Sequence, residues 1–262
     1  MRWAVPFILL MLLASFSDTR PEKEIKLKNL DYFTIDQFSN IYGIRFDQLR
    51  KYDSNGKIIF EYSNPLLGSI HSLSALDPLN LLLFYKDQAQ ITTLDNRLNE
   101  STAIQLIDIG LNDVQLVSQS DENFVWVYDQ ATDRLYRLDL NRASISNKSL
   151  NITQLVQLEN QPTQLESTYD NVFLNIPEKG ILIFDATGSL LQTVALKHVD
   201  YFDVWGERIF YLKQDTVRSI DFKKNTMGKQ LWPLEEVLSF TVEARKLYVL
   251  KPKKLNIYGI NP

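Results

Sequence analysis

Leu135-Tyr136-Arg137-Leu138-Asp139 decides how this chain folds, because a version of it occurs six times. Two apolar or aromatic residues stand three apart, and an Asp, or in the last copy an Asn, follows directly. The other copies are Leu49-Arg50-Lys51-Tyr52-Asp53, Ile91-Thr92-Thr93-Leu94-Asp95, Ile181-Leu182-Ile183-Phe184-Asp185, Val217-Arg218-Ser219-Ile220-Asp221 and Ile257-Tyr258-Gly259-Ile260-Asn261. Their last residues fall 42, 44, 46, 36 and 40 positions apart.

Around each copy the same texture repeats: a short apolar strand, a polar turn, a stronger aromatic or branched strand, a second turn, then the motif. In the third unit these are Val114 to Gln119, Asp121-Glu122-Asn123, Phe124 to Tyr128, and Leu135 to Asp139. The second strands are near-continuous apolar runs, the pattern of strands covered on both faces. Short strands at close spacing, rich in Ile, Val, Tyr and Phe and separated by turn residues, predict an all-β fold. A period near 40 residues with about four strands per unit is that of a β-propeller. Six motif copies predict six blades, with cores near 32–62, 70–106, 114–150, 164–196, 201–232 and 237–261. The Asp of each copy reads as a turn former, since Asp and Asn side chains bond their own backbone two residues on.

The sixth unit shows only three strands before Asn261-Pro262. At the other end, Ile25-Lys26-Leu27-Lys28 alternates apolar and basic residues, a strand with one buried face. The strand 25–30 is therefore predicted to pair with Leu255 to Ile260 and complete the last blade, removing an open edge.

The residues before it divide in two. Met1-Arg2, an apolar run from Trp3 to Leu13 interrupted only by Pro6, and the small residues Ala14-Ser15-Phe16-Ser17 match a secretory signal peptide over 1–17. That run is too short for a helix across a hydrocarbon core of about 30 Å. Residues 18–24 read as a polar N-terminal arm. The expectation is an exported protein in the periplasm, at the cell surface or outside the cell, and not membrane-spanning.

Composition removes several classes of function. The chain of 262 residues has no cysteine and two histidines, which excludes disulfides, thiolate metal sites and cysteine nucleophiles. A net charge of −4 gives no basic surface for nucleic acid. Charge is uneven: residues 101–196 hold 12 acids and 5 bases, whereas 197–262 hold 12 bases and 8 acids. This is either ordinary variation between surface loops or a polarised docking face.

The turn-strand texture of Asp36-Gln37-Phe38-Ser39-Asn40-Ile41-Tyr42, leading to Tyr52-Asp53-Ser54-Asn55-Gly56-Lys57, resembles the repeat of NHL-type and TolB-like six-bladed propellers. The fourth unit reproduces its end as Phe184-Asp185-Ala186-Thr187-Gly188. The resemblance spans residues 25–262. It implies a group of protein-binding scaffolds, ligand-binding receptors and a few hydrolases, so fold membership alone leaves activity open. Lactone-hydrolysing propellers of related architecture hold a divalent metal at the channel mouth through Glu, Asn and Asp. No residue here matches that spacing, so none is assigned as catalytic, cofactor-binding or metal-ligating, and no cofactor is expected.

Remaining candidates have structural readings beside functional ones. His71, in Ser69-Ile70-His71-Ser72-Leu73-Ser74, shares a strand face with Leu73 and reads as a packed histidine or a channel-lining base. His198 reads as a loop residue, and no G-x-S-x-G elbow accompanies either. Asp121-Glu122-Asn123 has the composition of a metal-binding turn. Asn99-Glu100-Ser101, Asn147-Lys148-Ser149 and Asn151-Ile152-Thr153 have the form of glycosylation sequons. Lys251-Pro252-Lys253-Lys254 reads as a hairpin turn or a basic spot for an acidic partner or anionic lipid headgroups. Trp232-Pro233-Leu234 packs inward or forms a contact patch. The sequence thus predicts an exported, non-catalytic propeller that binds a protein partner or ligand in the envelope or extracellular space. The alternative is a metal-dependent lactonase-like hydrolase, and a small-ligand receptor using the channel is a third reading.

Overall fold

In the computed structural model, which describes residues 20–27 and 29–260, six antiparallel sheets stand around one axis. The segment 1–17, read as a signal peptide, lies outside the described residues. The chain begins with β1 (Lys23–Ile25). Blade 1 is β2 (Tyr32–Ile35), β3 (Ile41–Arg45), β4 (Gln48–Tyr52) and β5 (Ile58–Ser63). Blade 2 is β6 (Ser72–Ser74), β7 (Leu81–Tyr85), β8 (Gln90–Leu94) and β9 (Glu100–Gln105). Blade 3 is β10 (Val114–Gln119), β11 (Phe124–Asp129), β12 (Arg134–Asp139) and β13 (Ser144–Lys148). After a one-turn helix, α1 (Ile152–Val156), blade 4 is β14 (Gln164–Ser167), β15 (Asn171–Ile176), β16 (Gly180–Asp185) and β17 (Leu190–Val194). Blade 5 is β18 (Tyr201–Trp205), β19 (Arg208–Lys213) and β20 (Thr216–Asp221), with an outer edge split into β21 (Thr226–Met227) and β22 (Trp232–Pro233). Blade 6 is β23 (Ser239–Glu243), β24 (Lys246–Lys251) and β25 (Lys254–Gly259), completed by β1. The first strand of each blade is innermost, and neighbouring innermost strands adjoin all the way round.

The repeated motif explains how the blades hold together. Residues three apart on a strand point to opposite faces. Accordingly Leu135 enters the core between blades 3 and 4, while Leu138 enters the core between blades 2 and 3. Leu49 and Tyr52, Ile91 and Leu94, Ile181 and Phe184, and Val217 and Ile220 divide the same way. Each third strand thus sends one side chain forward and one back, and six inter-blade cores close the ring.

The motif's last residue starts the outer turn, as the sequence predicts. Asp53 accepts the backbone N–H groups of Asn55 (2.8 Å) and Lys57 (3.0 Å), and Asp95 those of Arg97 (2.8 Å) and Asn99 (2.9 Å). Asp185 accepts from Thr187 and Ser189, Asp139 from Asn141 and Arg142, and Asp221 from Lys223 and Lys224. The Lys57 and Lys224 amides hold the Asp53 and Asp221 carboxyls below the ordinary carboxylate range. The sixth copy ends at Asn261, outside the described residues. In blades 1–4 the ladder to the outer strand shifts register between the third and fourth motif residues, a bulge that bends the outer strand.

The N-terminal segment closes the ring, but its strand lies two residues earlier than expected and is shorter. Lys23, Glu24 and Ile25 pair antiparallel with Ile257, Asn256 and Leu255. Lys23 and Glu24, assigned by sequence to a free arm, therefore belong to the closing strand. Their side chains are exposed but tethered: Lys23 Nζ donates to the Ser54 carbonyl (2.7 Å), and Glu24 pairs with Lys254 (2.6 Å). Beyond Ile25 the chain leaves the sheet, yet Leu27 and Leu30 stay buried in the core between blades 6 and 1. Two glycines make room for this segment. A Cβ on Gly43 would stand 2.5 Å from Leu30 Cδ1, and one on Gly56, at φ +85°, would stand 2.5 Å from Ile25 Cγ2.

Candidate functional site: the axial channel

Along the innermost strands, buried residues alternate with half-buried ones. On β18, Phe202 is buried while Tyr201, Asp203 and Trp205 are half-buried; on β23, Phe240 and Val242 alternate with Thr241 and Glu243. On β2, Phe33 and Ile35 alternate with Tyr32 and Thr34, and on β14, Leu165 separates Gln164 from Glu166. The half-buried sets line an axial cavity of about 530 Å³ bounded by all six blades.

An innermost strand has no partner on its channel side, so some of its backbone groups need other company. Side chains of the neighbouring blade supply it. The Gln164 amide accepts the Phe202 N–H (3.0 Å) and donates to the Phe202 carbonyl (2.6 Å), imitating a strand between blades 4 and 5. Asp203 accepts the Val242 N–H (2.7 Å) and the Thr241 hydroxyl (2.8 Å), joining blade 5 to blade 6, and also its neighbour Val204 N–H (2.7 Å). Ser167 donates to Ser118 (3.0 Å) between blades 4 and 3.

The same wall concentrates charge. Glu166 accepts one amide hydrogen bond, from Gln164 at 2.9 Å. Enclosure in the channel, and then the nearby Asp203 carboxylate, push Glu166 up to about 8. Desolvation raises Asp203 too, but its three donors oppose the rise. Two adjacent carboxyls cannot both ionise cheaply, so the proton resides on Glu166, the one with fewer donors to hold a charge. Tyr201 and Tyr32 share a hydrogen bond beside this pair, and burial together with the carboxylates raises both phenols. Glu243 is raised by burial, with Asp203 adding to the rise.

None of these residues was singled out by sequence reasoning. The available signal was the alternation itself, as in Gln164-Leu165-Glu166 and Tyr201-Phe202-Asp203, where a polar or tyrosyl position recurs beside a core residue. His71 does line the cavity, but the packed reading fails. Its strand begins one residue later, leaving the imidazole exposed with its ring edge-on to Phe84 at 5.8 Å. Burial of one side and the nearby Lys86 hold it below the ordinary imidazole range. His198 sits in an exposed loop at φ +54°.

Other candidates resolve as structure. Asp121 caps its own turn, accepting from Asn123 and Phe124, and pairs with Arg137 (3.3 Å), which stacks over Phe124 at 3.7 Å. Among the sequons, Asn151 caps α1 by accepting the Gln154 N–H, and Asn99 donates to Asp95. Lys251-Pro252-Lys253-Lys254 is the β24–β25 hairpin. Trp232 packs inward between blades 5 and 6. Among the described residues, no three His, Cys, Asp or Glu side chains converge as ligands for a metal ion. No helix among them is long and apolar enough to cross a membrane.

No family model and no curated protein matches the chain. Solved structures do. The WD40 domain of Pan2 from Neurospora crassa aligns with a TM-score of 0.62 at 10% identity, over 90% of this chain and 81% of that one. A chain of the mitotic checkpoint complex aligns with a TM-score of 0.66 at 8% identity, over 100% of this chain and 98% of that one. PorZ, an essential bacterial surface component of the type-IX secretion system of Porphyromonas gingivalis, aligns with a TM-score of 0.57 at 12% identity. The alignment covers 90% of this chain and 37% of PorZ. At these identities the likeness is one of architecture. The chain is a six-bladed β-propeller, similar in architecture to a WD40 domain.

Proposed function

We propose that this propeller is an exported, non-catalytic scaffold that binds a protein partner in the cell envelope or extracellular space. One observation carries the binding reading. The turns that follow the innermost strands all open on one face, and they present Phe38 (68% exposed), Leu76 (52%), Leu79 (67%) and Tyr169 (75%) to solvent. Leu76 and Gln37, the neighbour of Phe38, border the cavity, so the apolar groups of blades 1 and 2 flank the channel mouth. Large apolar and aromatic side chains on a rigid polar surface are the usual anchors of protein interfaces.

Support for export comes from the signal-like sequence of residues 1–17. Within six-bladed propellers, the texture of Asp36–Tyr42 and Tyr52–Lys57 favours the NHL-type and TolB-like group. PorZ offers a precedent for this architecture at a bacterial surface.

The test is affinity capture from the native host with cross-linking and mass spectrometry. It uses the wild type, a Phe38→Asp/Leu79→Asp variant, and a Phe46→Asp/Leu66→Asp variant whose changes lie on the opposite face. A reproducible partner is expected with the wild type and the opposite-face variant and is lost with the first. Recovery of none, or equal recovery from all three, overturns the reading. N-terminal sequencing of protein from host fractions checks export: a mature chain starting at Asp18 outside the cytoplasm is expected, and an intact cytoplasmic chain refutes it.

A further inference from the structure

The axial cavity has a chemistry of its own, independent of any partner on the turn face. Three consecutive blades each contribute one carboxyl to its wall, Glu166 from β14, Asp203 from β18 and Glu243 from β23. Asp203 is close enough to the other two to act on the protonation of both. Among the described residues lining the cavity there is no Lys or Arg. Clustered carboxyls without a counter-charge in an enclosed space are expensive to ionise.

A second observation points the same way. Gln119 lines the cavity at 2% exposure, and its Oε1 has no hydrogen-bond partner. Its Nε2 reaches only the Asn80 carbonyl, at 3.4 Å. A buried acceptor left open calls for a donor. The rings of Tyr32, Tyr201 and Trp205 also border the space, and aromatic faces attract cations. Carboxyls, an open amide oxygen, hydroxyl oxygens and aromatic rings all favour a positively charged N–H donor. An anion would meet like charge, and a neutral polyol would leave the carboxyls uncompensated. The volume of about 530 Å³ lies within the usual range for small-molecule sites, roughly 300–1,000 Å³.

We propose that the axial channel binds a primary alkylammonium group, seated between Glu166 and Asp203 and flanked by Tyr32, Tyr201 and Trp205. The cation supplies the missing counter-charge, so its arrival displaces the Glu166 proton to solvent. Groups facing Glu166 are Tyr32 from β2, and Tyr201 and Asp203 from β18. Gln164 lies on its own strand, Glu243 comes from β23 by way of Asp203, and His71 stands on the cavity wall before β6. The acids and phenols give up protons less readily when a neighbour is ionised, and an ammonium ion reverses that for all of them.

Isothermal titration calorimetry on the full chain at pH 7 tests this with putrescine and with Nα-acetyl-lysine methylamide. Butane-1,4-diol and succinate serve as the neutral and anionic counterparts. One site is expected for the amines and none for the diol or succinate. Tighter binding of putrescine assigns the site to a free amine, and tighter binding of the lysine derivative assigns it to a side chain presented by a protein. Titration in two buffers of different ionisation enthalpy should show proton release. Glu166→Gln should weaken amine binding at least tenfold. Gln119→Leu, which leaves the carboxyls in place, should weaken it several-fold and guards against a folding defect in the first variant. The proposal falls if the diol binds as tightly as the amine. It also falls if binding proceeds without proton release, or if both variants bind like the wild type.

Discussion

The inter-blade cores and the axial channel are built from the same strands, yet they follow opposite rules. Each core is apolar and filled by residues that recur with the repeat: Leu49, Ile91, Leu135, Ile181 and Val217 all occupy one structural position, and every one is fully buried. The channel wall does not recur. Blades 4, 5 and 6 place Glu166, Asp203 and Glu243 there, whereas blades 1, 2 and 3 place Tyr32 and Thr34, Ser72 and Ser74, and Leu116 and Ser118. The difference teaches where the constraint lies. Packing between blades must be met six times over, so it leaves a repeated mark. The axis is shared, and six different contributions to one space need only fit each other once.

If the cores carry the stability, the largest loss should follow from opening the ring. A chain beginning at Asp31 forfeits Ile25, Leu27 and Leu30, all within 5% exposure. At roughly 1.5–3 kcal/mol for each buried side chain, this is a large share of the net stability of about 5–15 kcal/mol typical of a protein. Such a chain is expected to aggregate or lose its cooperative melt by circular dichroism. A melt like that of the full chain would show that the closing segment is dispensable.

Next in size come single cavities in the cores. Leu135→Ala should cost about 2–5 kcal/mol, and Leu49→Ala about as much, because the two sites are equivalent by repeat. Thr34→Ala, on the channel wall, should fall within about 0.5 kcal/mol of the wild type. Urea denaturation measures all three, and equal losses in core and channel would break the distinction between them.

A smaller effect is expected where the closing segment meets its socket. Gly43→Val places side-chain carbon where Leu30 now sits, an overpacking that typically costs about 1–3 kcal/mol. Pairing it with Leu30→Ala should recover part of the loss if the clash is the cause. Double-mutant denaturation reads that coupling, and simple additivity would deny the contact.

The mildest prediction concerns pH. Folded Glu166 holds its proton up to about 8, above the ordinary glutamate value of 4.5. Between those values the folded chain binds more protons than the unfolded one, so stability is full below the lower value and falls as pH rises toward the higher. The melting temperature of the wild type should drop from pH 5 to pH 8. Glu166→Gln should flatten that slope. An unchanged slope would mean that the channel carboxyls ionise freely, as surface groups do.

The sequence by itself determined the number of blades, the role of the third strand and the turns that follow it. These rest on local physics: alternation sets which face a residue takes, and an Asp carboxylate within reach of its own backbone makes a turn wherever it occurs. The same locality explains why Asp121-Glu122-Asn123 and the hairpin at Lys251 to Lys254 could be read as turns. Closure was legible as well, because the short sixth unit needed a strand and Ile25 and Leu27 had the pattern of one. Its register was not, since Lys23–Ile25 pairs with Leu255–Ile257 at the far end of the chain, and Leu30 and Ile25 sit where Gly43 and Gly56 leave room.

Only the tertiary structure decided the site. Gln164 becomes a backbone mimic because Phe202 of the next blade stands beside it, and Glu166 takes up a proton because the channel encloses it and Asp203 of the next blade adds its charge. Neither partner is near in sequence. A carboxylate's chemistry depends on distance and dielectric, both set by how six separate strands converge on one axis, and that convergence is not written in any one of them.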